Sequence, residues 1–136
     1  GGGIGEGLPS AIGMKVAQPE RPVLCLSGDG SSLYSIQTLW SAVHHEIPIV
    51  FLILNNRTYR ILKLNMNRYR SEAQLPDRGY QHLDLSNPKI DYVNIAKGFG
   101  MNAVRVTKSD ALAGAVNHAF ETNESWLIDV LVDGSI

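Results

Sequence analysis

Two short clusters in this sequence carry residue types that could do chemistry. The first is Gly28-Asp29-Gly30-Ser31; the second, Asn55-Asn56-Arg57-Thr58-Tyr59, places Asn56 27 positions after Asp29. A carboxylate and an amide carbonyl are hard oxygen donors, suited to magnesium or calcium and poorly suited to softer metals. Magnesium takes roughly six oxygens and seldom draws them all from protein. Asp29, Asn56 and a nearby backbone carbonyl would leave room for phosphate oxygens and a water. Gly28 and Gly30 let the backbone come close to an anion. A helix starting near Ser31 would aim its free N–H groups at the same place, and Ser31 could add a hydroxyl. The chemistry implied is a grip on a diphosphate through a magnesium-like cation.

Each cluster alone is common, since Gly-Asp-Gly and Asn-Asn often mark turns or helix caps. Their force lies in the elements that must position them. Val23 to Ser27 and Ile49 to Leu54 are apolar runs bounded by turn residues, and read as buried strands. Each cluster follows one of these strands. Between them Leu33, Ile36, Leu39, Trp40 and Val43 recur at three- and four-residue spacing, which predicts one amphipathic helix. Further helices are expected over 8–17, 59–67, 92–99 and 111–121, and further strands over 103–106 and 126–132. Residues 69–87 are polar and rich in breakers, as in a lid or binding loop. Strands separated by helices predict an α/β fold, a three-layer sandwich around a mostly parallel sheet. Ligands of such sheets bind beyond the carboxyl ends of the strands, where both clusters would lie.

The 136 residues have room for one domain, because domains commonly run to roughly 100–150 residues. Apolar residues make up 44% and charged residues 18%, with a net charge of −1, which suits a globular fold and gives no footprint for nucleic acid. The single cysteine, Cys25, rules out an internal disulfide and fits a reducing compartment, so a cytoplasmic location is expected. It sits in the run Val23-Leu24-Cys25-Leu26 and reads as a buried hydrophobe. No apolar run approaches the ~20 residues that cross a bilayer. The chain opens Gly1-Gly2-Gly3 with no initiator methionine, as a fragment of a larger protein would.

Gly28-Asp29-Gly30, followed after 24 intervening residues by Asn55-Asn56, resembles the cofactor motif of the thiamine-diphosphate-dependent decarboxylases and acetohydroxyacid synthases. The resemblance covers nearly the whole chain, residues 1–136, as the single C-terminal diphosphate-binding (PP) domain of a three-domain enzyme. Gly2-Gly3-Ile4-Gly5, Leu8-Pro9, Tyr34-Ser35-Ile36, Leu39-Trp40 and Asn55-Asn56-Arg57-Thr58-Tyr59 look most like benzoylformate decarboxylase. Ala96-Lys97-Gly98-Phe99-Gly100 matches the usual helix-to-strand passage.

The resemblance implies Mg2+ held by Asp29, Asn56 and the carbonyl of Thr58. It implies diphosphate contacts from Ser31 and the backbone near Tyr59, with Gly28 and Gly30 in the cofactor loop. Gly2 or Gly3 would offer a carbonyl to the aminopyrimidine. Ile4 would wedge beneath the cofactor and hold it bent, so that proximity replaces a strong external base. The substrate would be a 2-keto acid. The activating glutamate would come from a pyrimidine-binding (PYR) domain of the same or a partner subunit, so no catalytic residue is assigned here and the isolated chain is expected to be inactive. A carboligase of acetolactate synthase type shares these residues, and a stand-alone binding or assembly module is the third reading. Exposed apolar surface and a homo-oligomer are also expected.

Other features read as structural. Glu6 is an exposed loop carboxylate, and His44-His45-Glu46 are helix-end polar residues whose side chains diverge. Arg57, Arg60, Lys63, Arg68 and Arg70 read as a solvated helix and lid surface. Arg60 stands where a glycine is usual and either meets the diphosphate or points to solvent. Trp40 and Trp126 read as core or interface residues.

Overall fold

The computed structural model describes residues 3–136; the expected carbonyl of Gly2 lies outside them. Four strands form one parallel sheet in the order β1-β2-β4-β3, with β1 at Leu24–Gly28, β2 at Val50–Asn55, β3 at Asn102–Val106 and β4 at Trp126–Leu131. Cys25 lies opposite Phe51 and Gly28 opposite Leu54, so both chemistry-bearing clusters leave the sheet side by side.

Side-chain alternation divides the core in two. On one face Cys25, Phe51, Ile53 and Leu127 pack beneath Leu8 and Ala11 of α1 (Gly7–Ala17), Leu39 and Ala42 of α3 (Thr38–His44), and Tyr92 and Ala96 of α5 (Tyr92–Gly98). On the other face Val50, Leu52, Val106, Ile128 and Val130 pack beneath α6 (Leu112–Glu121). The result is helix, sheet, helix. The second face is only partly covered, so β1 is not the fully buried strand expected: α6 meets β2, β3 and β4, while Leu24 and Leu26 of β1 stay exposed. Gly100 turns the chain from α5 into β3 with a φ of 82°, a left-handed value that glycine adopts without strain.

Three further expectations need correction. The single helix expected through Leu33 to Val43 is broken into α2 (Asp29–Ser32), a series of turns, and α3. At the break, serine hydroxyls bond backbone carbonyls, one within the segment and one in the opening loop. The Ser32 hydroxyl donates to the Asp29 carbonyl at 2.7 Å, and that of Ser35 to the Gly5 carbonyl at 2.7 Å. The turns then close through three-residue bonds, such as Thr38 N–H to the Ser35 carbonyl at 2.9 Å. Trp40 is consequently about half exposed, stacked on His44 with ring centres 4.6 Å apart, rather than in the core. Second, α4 runs from Arg60 to Glu72, past the expected end at 67. Third, its Lys63 is buried, not solvated.

Candidate functional site

The carboxyl edges of β1 and β2 form the site. Asp29 begins α2 directly after β1, and the residue is 4% exposed. One carboxylate oxygen accepts the Gly30 N–H at 2.9 Å, and the other accepts the Arg57 N–H at 2.6 Å. The second bond ties the two clusters together across the sheet edge. Arg57 itself has a left-handed backbone, φ 58°, uncommon for a residue other than glycine. Burial pushes the Asp29 pKa up, outweighing the N–H groups of Gly30, Arg57 and Thr58 that favour the charged form.

Asn56 follows β2, and its side-chain oxygen accepts the Thr58 N–H at 3.0 Å. An amide or carboxylate oxygen has more than one lone pair, so these bonds leave Asp29 and Asn56 able to accept again. The Thr58 loop is held from outside by residues 83–85. Tyr59 N–H donates to the Leu83 carbonyl at 2.9 Å, and Leu85 N–H to the Arg57 carbonyl at 2.8 Å. Neither bond uses the Thr58 carbonyl. The Thr58 hydroxyl also donates to Leu83, at 2.8 Å, and Lys63 reaches Asp84 at 2.6 Å.

This outside support changes the reading of the middle segment. Residues 73–91 carry no helix or strand, as a lid would not, but their second half is bonded to the site loop. Arg70 anchors the first half through Asp77 at 2.9 Å and the Gly79 carbonyl at 2.7 Å. Lys63 and Arg70 were read from the sequence as solvated; both hold this segment instead. Arg60 is exposed, and its Nε donates to the Ser135 carbonyl at 2.8 Å.

The other expected site residues are placed as follows. Ser31 is half-buried within α2, which is one turn long and starts at Asp29, so it offers little of the dipole expected from a longer helix. The Tyr59 and Gly30 amides are committed to Leu83 and Asp29, and the Tyr59 ring lies against Gly30. Gly28 precedes Asp29 in extended backbone, φ −74° and ψ 154°. Gly3 and Ile4 lie in the opening loop, Ile4 well exposed.

Sequence reasoning missed Tyr92, whose buried hydroxyl donates to the Asp29 carbonyl at 2.9 Å. It also missed Gly134, packed against the Asn56 carbonyl, where a Cβ would come within 2.5 Å of that oxygen. No local signal marks either residue. Among the described residues no three His, Cys, Asp or Glu side chains converge, so a cation here would complete its shell from backbone and ligand oxygens. That is the donor set magnesium takes beside a phosphate. A cleft of about 390 Å³ between Val43, Pro48, Gly100 and Ser125 lies at the amino ends of the strands, the edge parallel sheets seldom use for ligands.

Residues 1–130 match the family model "Thiamine pyrophosphate enzyme, C-terminal TPP binding domain". The chain belongs to this family. Over 132 residues it is 42% identical to the "Putative acetolactate synthase large subunit IlvX" of Mycobacterium tuberculosis, covering 97% of this chain and 26% of that protein. It is 39% identical over 129 residues to the benzoylformate decarboxylase of Pseudomonas aeruginosa, covering 95% of this chain and 23% of that one. Among solved structures, the thiamine diphosphate-dependent 4-hydroxybenzoylformate decarboxylase of Rhodococcus jostii RHA1 superposes with a TM-score of 0.85 at 35% identity, covering 96% of this chain and 23% of that one. This thiamine pyrophosphate enzyme domain thus spans about a quarter of the length of the relatives it matches. No helix among its described residues is long and apolar enough to cross a membrane.

Proposed function

We propose that this domain holds thiamine diphosphate through Mg2+, with Asp29 and Asn56 as side-chain ligands and the Thr58 carbonyl as the third protein donor. The observation that carries the reading is the bond from Arg57 N–H to Asp29, which joins the two clusters at the carboxyl edges of adjacent parallel strands. Burial leaves the Asp29 carboxylate short of countercharge, and a dication beside it would supply that. Ser31 would reach the diphosphate, with Gly28 and Gly30 keeping its approach clear, and the Tyr59 ring would close one side. Gly3 and Ile4 would meet the organic part of the cofactor from the opening loop, with Gly2.

In the complete protein we assign the domain to a decarboxylase of 2-keto acids, acting as a homo-oligomer with a PYR domain of the same or a partner subunit. Bound thiamine diphosphate supplies an electron sink for the carbon that loses carbon dioxide. The protein's own part is to orient that group and keep its charge paired. We expect the isolated chain to bind cofactor weakly and to show no turnover, since the activating glutamate belongs to the PYR domain. Acetolactate synthesis is the second reading, favoured by the 42% identity to the acetolactate synthase subunit. Product analysis of the full-length protein with pyruvate and with benzoylformate separates the two: acetolactate as the main product rejects the decarboxylase.

Calorimetry tests the central claim. Thiamine diphosphate should bind the chain only with Mg2+ present, and Asp29→Ala should abolish that dependence. Binding indifferent to both the metal and the substitution overturns it.

A further inference from the structure

A charged side chain stands in the middle of the sheet. Asp129 of β4 is fully buried, within the apolar run Leu127-Ile128-Asp129-Val130-Leu131. Its two oxygens are shared between two neighbouring strands. One accepts from the Asn55 side-chain amide of β2 at 2.9 Å, and the other accepts from Arg105 Nε of β3 at 2.8 Å. Arg105 continues outward to Asp91 at 3.0 Å.

We infer that Asp129 is a positioning residue for the cation loop: through Asn55 it fixes the chain entering Asn56-Arg57-Thr58, and so the aim of that loop at Asp29. The inference rests on the cofactor reading above and adds to it a residue that touches neither metal nor cofactor. Three observations carry it. Asn55 is the last residue of β2 and the immediate neighbour of Asn56, and it is 3% exposed, so its side chain has no water to turn towards. Its carbonyl also accepts the Val132 N–H at 3.0 Å, so both ends of the residue are tied to β4 or the chain just beyond it. The next residues then make the bonds that define the site, Arg57 N–H to Asp29 and Thr58 N–H to Asn56.

Packing alone does not call for a carboxylate here. An apolar side chain in mid-sheet avoids the desolvation of a charge, and buried ion pairs are often no more stabilising than apolar replacements. What the carboxylate adds is direction. It accepts from two donors on opposite sides at once, which fixes the Asn55 amide so that its N–H faces inward. An asparagine at 129 would present an N–H to one of those donors, and one of the two bonds would be lost.

The test uses the 136-residue chain and reads the loop first without cofactor. Asp129→Asn should speed amide exchange at Arg57 and Thr58 on the order of tenfold, with Phe51 and Ile53 in the same strand unchanged. In the same variant, Mg2+-dependent affinity for thiamine diphosphate should fall on the order of tenfold, as when the group behind a metal ligand is removed. Asn55→Asp should fail likewise, by setting two carboxylates together. The double variant Asn55→Asp with Asp129→Asn restores donor to acceptor, keeps an oxygen for Arg105, and should recover both readouts. If Asp129→Asn folds poorly, Asn55→Ala serves, since it cuts the link and leaves Asp129 paired with Arg105. Loop exchange within about twofold of wild type, exchange raised equally throughout β2, or no recovery in the double variant overturns the inference. The exchange measurement stands even if the wild-type chain takes up no thiamine diphosphate, a result that would strike the cofactor reading alone.

Discussion

The ring of Tyr59 occupies the space that any side chain on Gly30 would need: a Cβ at residue 30 would come within 2.3 Å of the ring's Cε1. Glycine is required here for close approach rather than for an unusual backbone. Gly30→Ala should therefore cost about 1–3 kcal/mol, the usual range for overpacking. In a Tyr59→Ala background the same substitution should cost much less. Urea unfolding of the four variants measures the coupling, and equal costs in both backgrounds would show that the ring is not the obstacle.

Asp29 should give the metal-free chain and its magnesium affinity opposite pH dependences. Burial raises its pKa in the fold above the ordinary 3.8, so the folded chain holds this proton more tightly than the unfolded one. Its contribution to stability is then full below the ordinary carboxylate value and is lost as pH rises through the raised one. Magnesium needs the ionised form, so its affinity should weaken as pH falls through the same window. Melting curves with and without Mg2+ and thiamine diphosphate, from about pH 4 to 7, read both trends. Asp29→Ala should flatten both; an unchanged pH profile in that variant assigns the trend to another group.

The strands were the legible part of this chain. Val23 to Ser27 and Ile49 to Leu54 are short apolar runs between breakers, and both form parallel strands, although β1 is buried on one face only, with Leu24 and Leu26 exposed on the other. Their adjacency brings Asp29 and the Asn56 loop together as the spacing suggested. The helix through Leu33 to Val43 was misread because periodicity records side-chain faces and not the backbone bonds of Ser32 and Ser35, one of them to the distant Gly5. Lys63 was misread because the helix pattern of α4 cannot show that a loop folds over it. Leu83 and Asp84 meet Thr58 across 25 and 26 positions, a separation at which no local pattern operates. Asp129 did carry a signal, since a carboxylate inside an apolar strand has to find partners.

The Lys63–Asp84 pair should hold the middle segment onto the site loop. Lys63 holds the Asp84 carboxyl below the ordinary carboxylate value, so this link persists at neutral pH and fails only as pH falls through that lowered value. Asp84→Asn removes the charge that pairs with a buried ammonium, and Lys63→Met removes both charge and bond. Each should expose residues 73–91 to limited proteolysis while the sheet stays folded. Asp84→Asn should be the worse of the two, because it leaves the buried lysine unpaired. Cleavage no faster than in wild type would mean that the Leu83 and Leu85 backbone bonds suffice.

The exposed face of β1 should drive association of the isolated chain. Parallel sheets are ordinarily covered on both faces, yet Leu26 is 60% exposed, and Leu24 and Leu54 on the same face are also open. The register sets Leu24 beside Val50 and Leu26 beside Leu52, both buried, so the open leucines of β1 flank the edge of the core that α6 covers. Burying a leucine contributes about 1.5–3 kcal/mol, so Leu26→Lys should weaken self-association by roughly tenfold or more. Sedimentation velocity across a concentration series measures this. The substitution points away from Cys25 and the covered core, so the melting temperature should hardly move. Ile61→Lys on α4, 65% exposed in wild type, is the comparison. If Ile61→Lys dissociates the chain and Leu26→Lys does not, association runs through α4 and the open sheet face has no part in it.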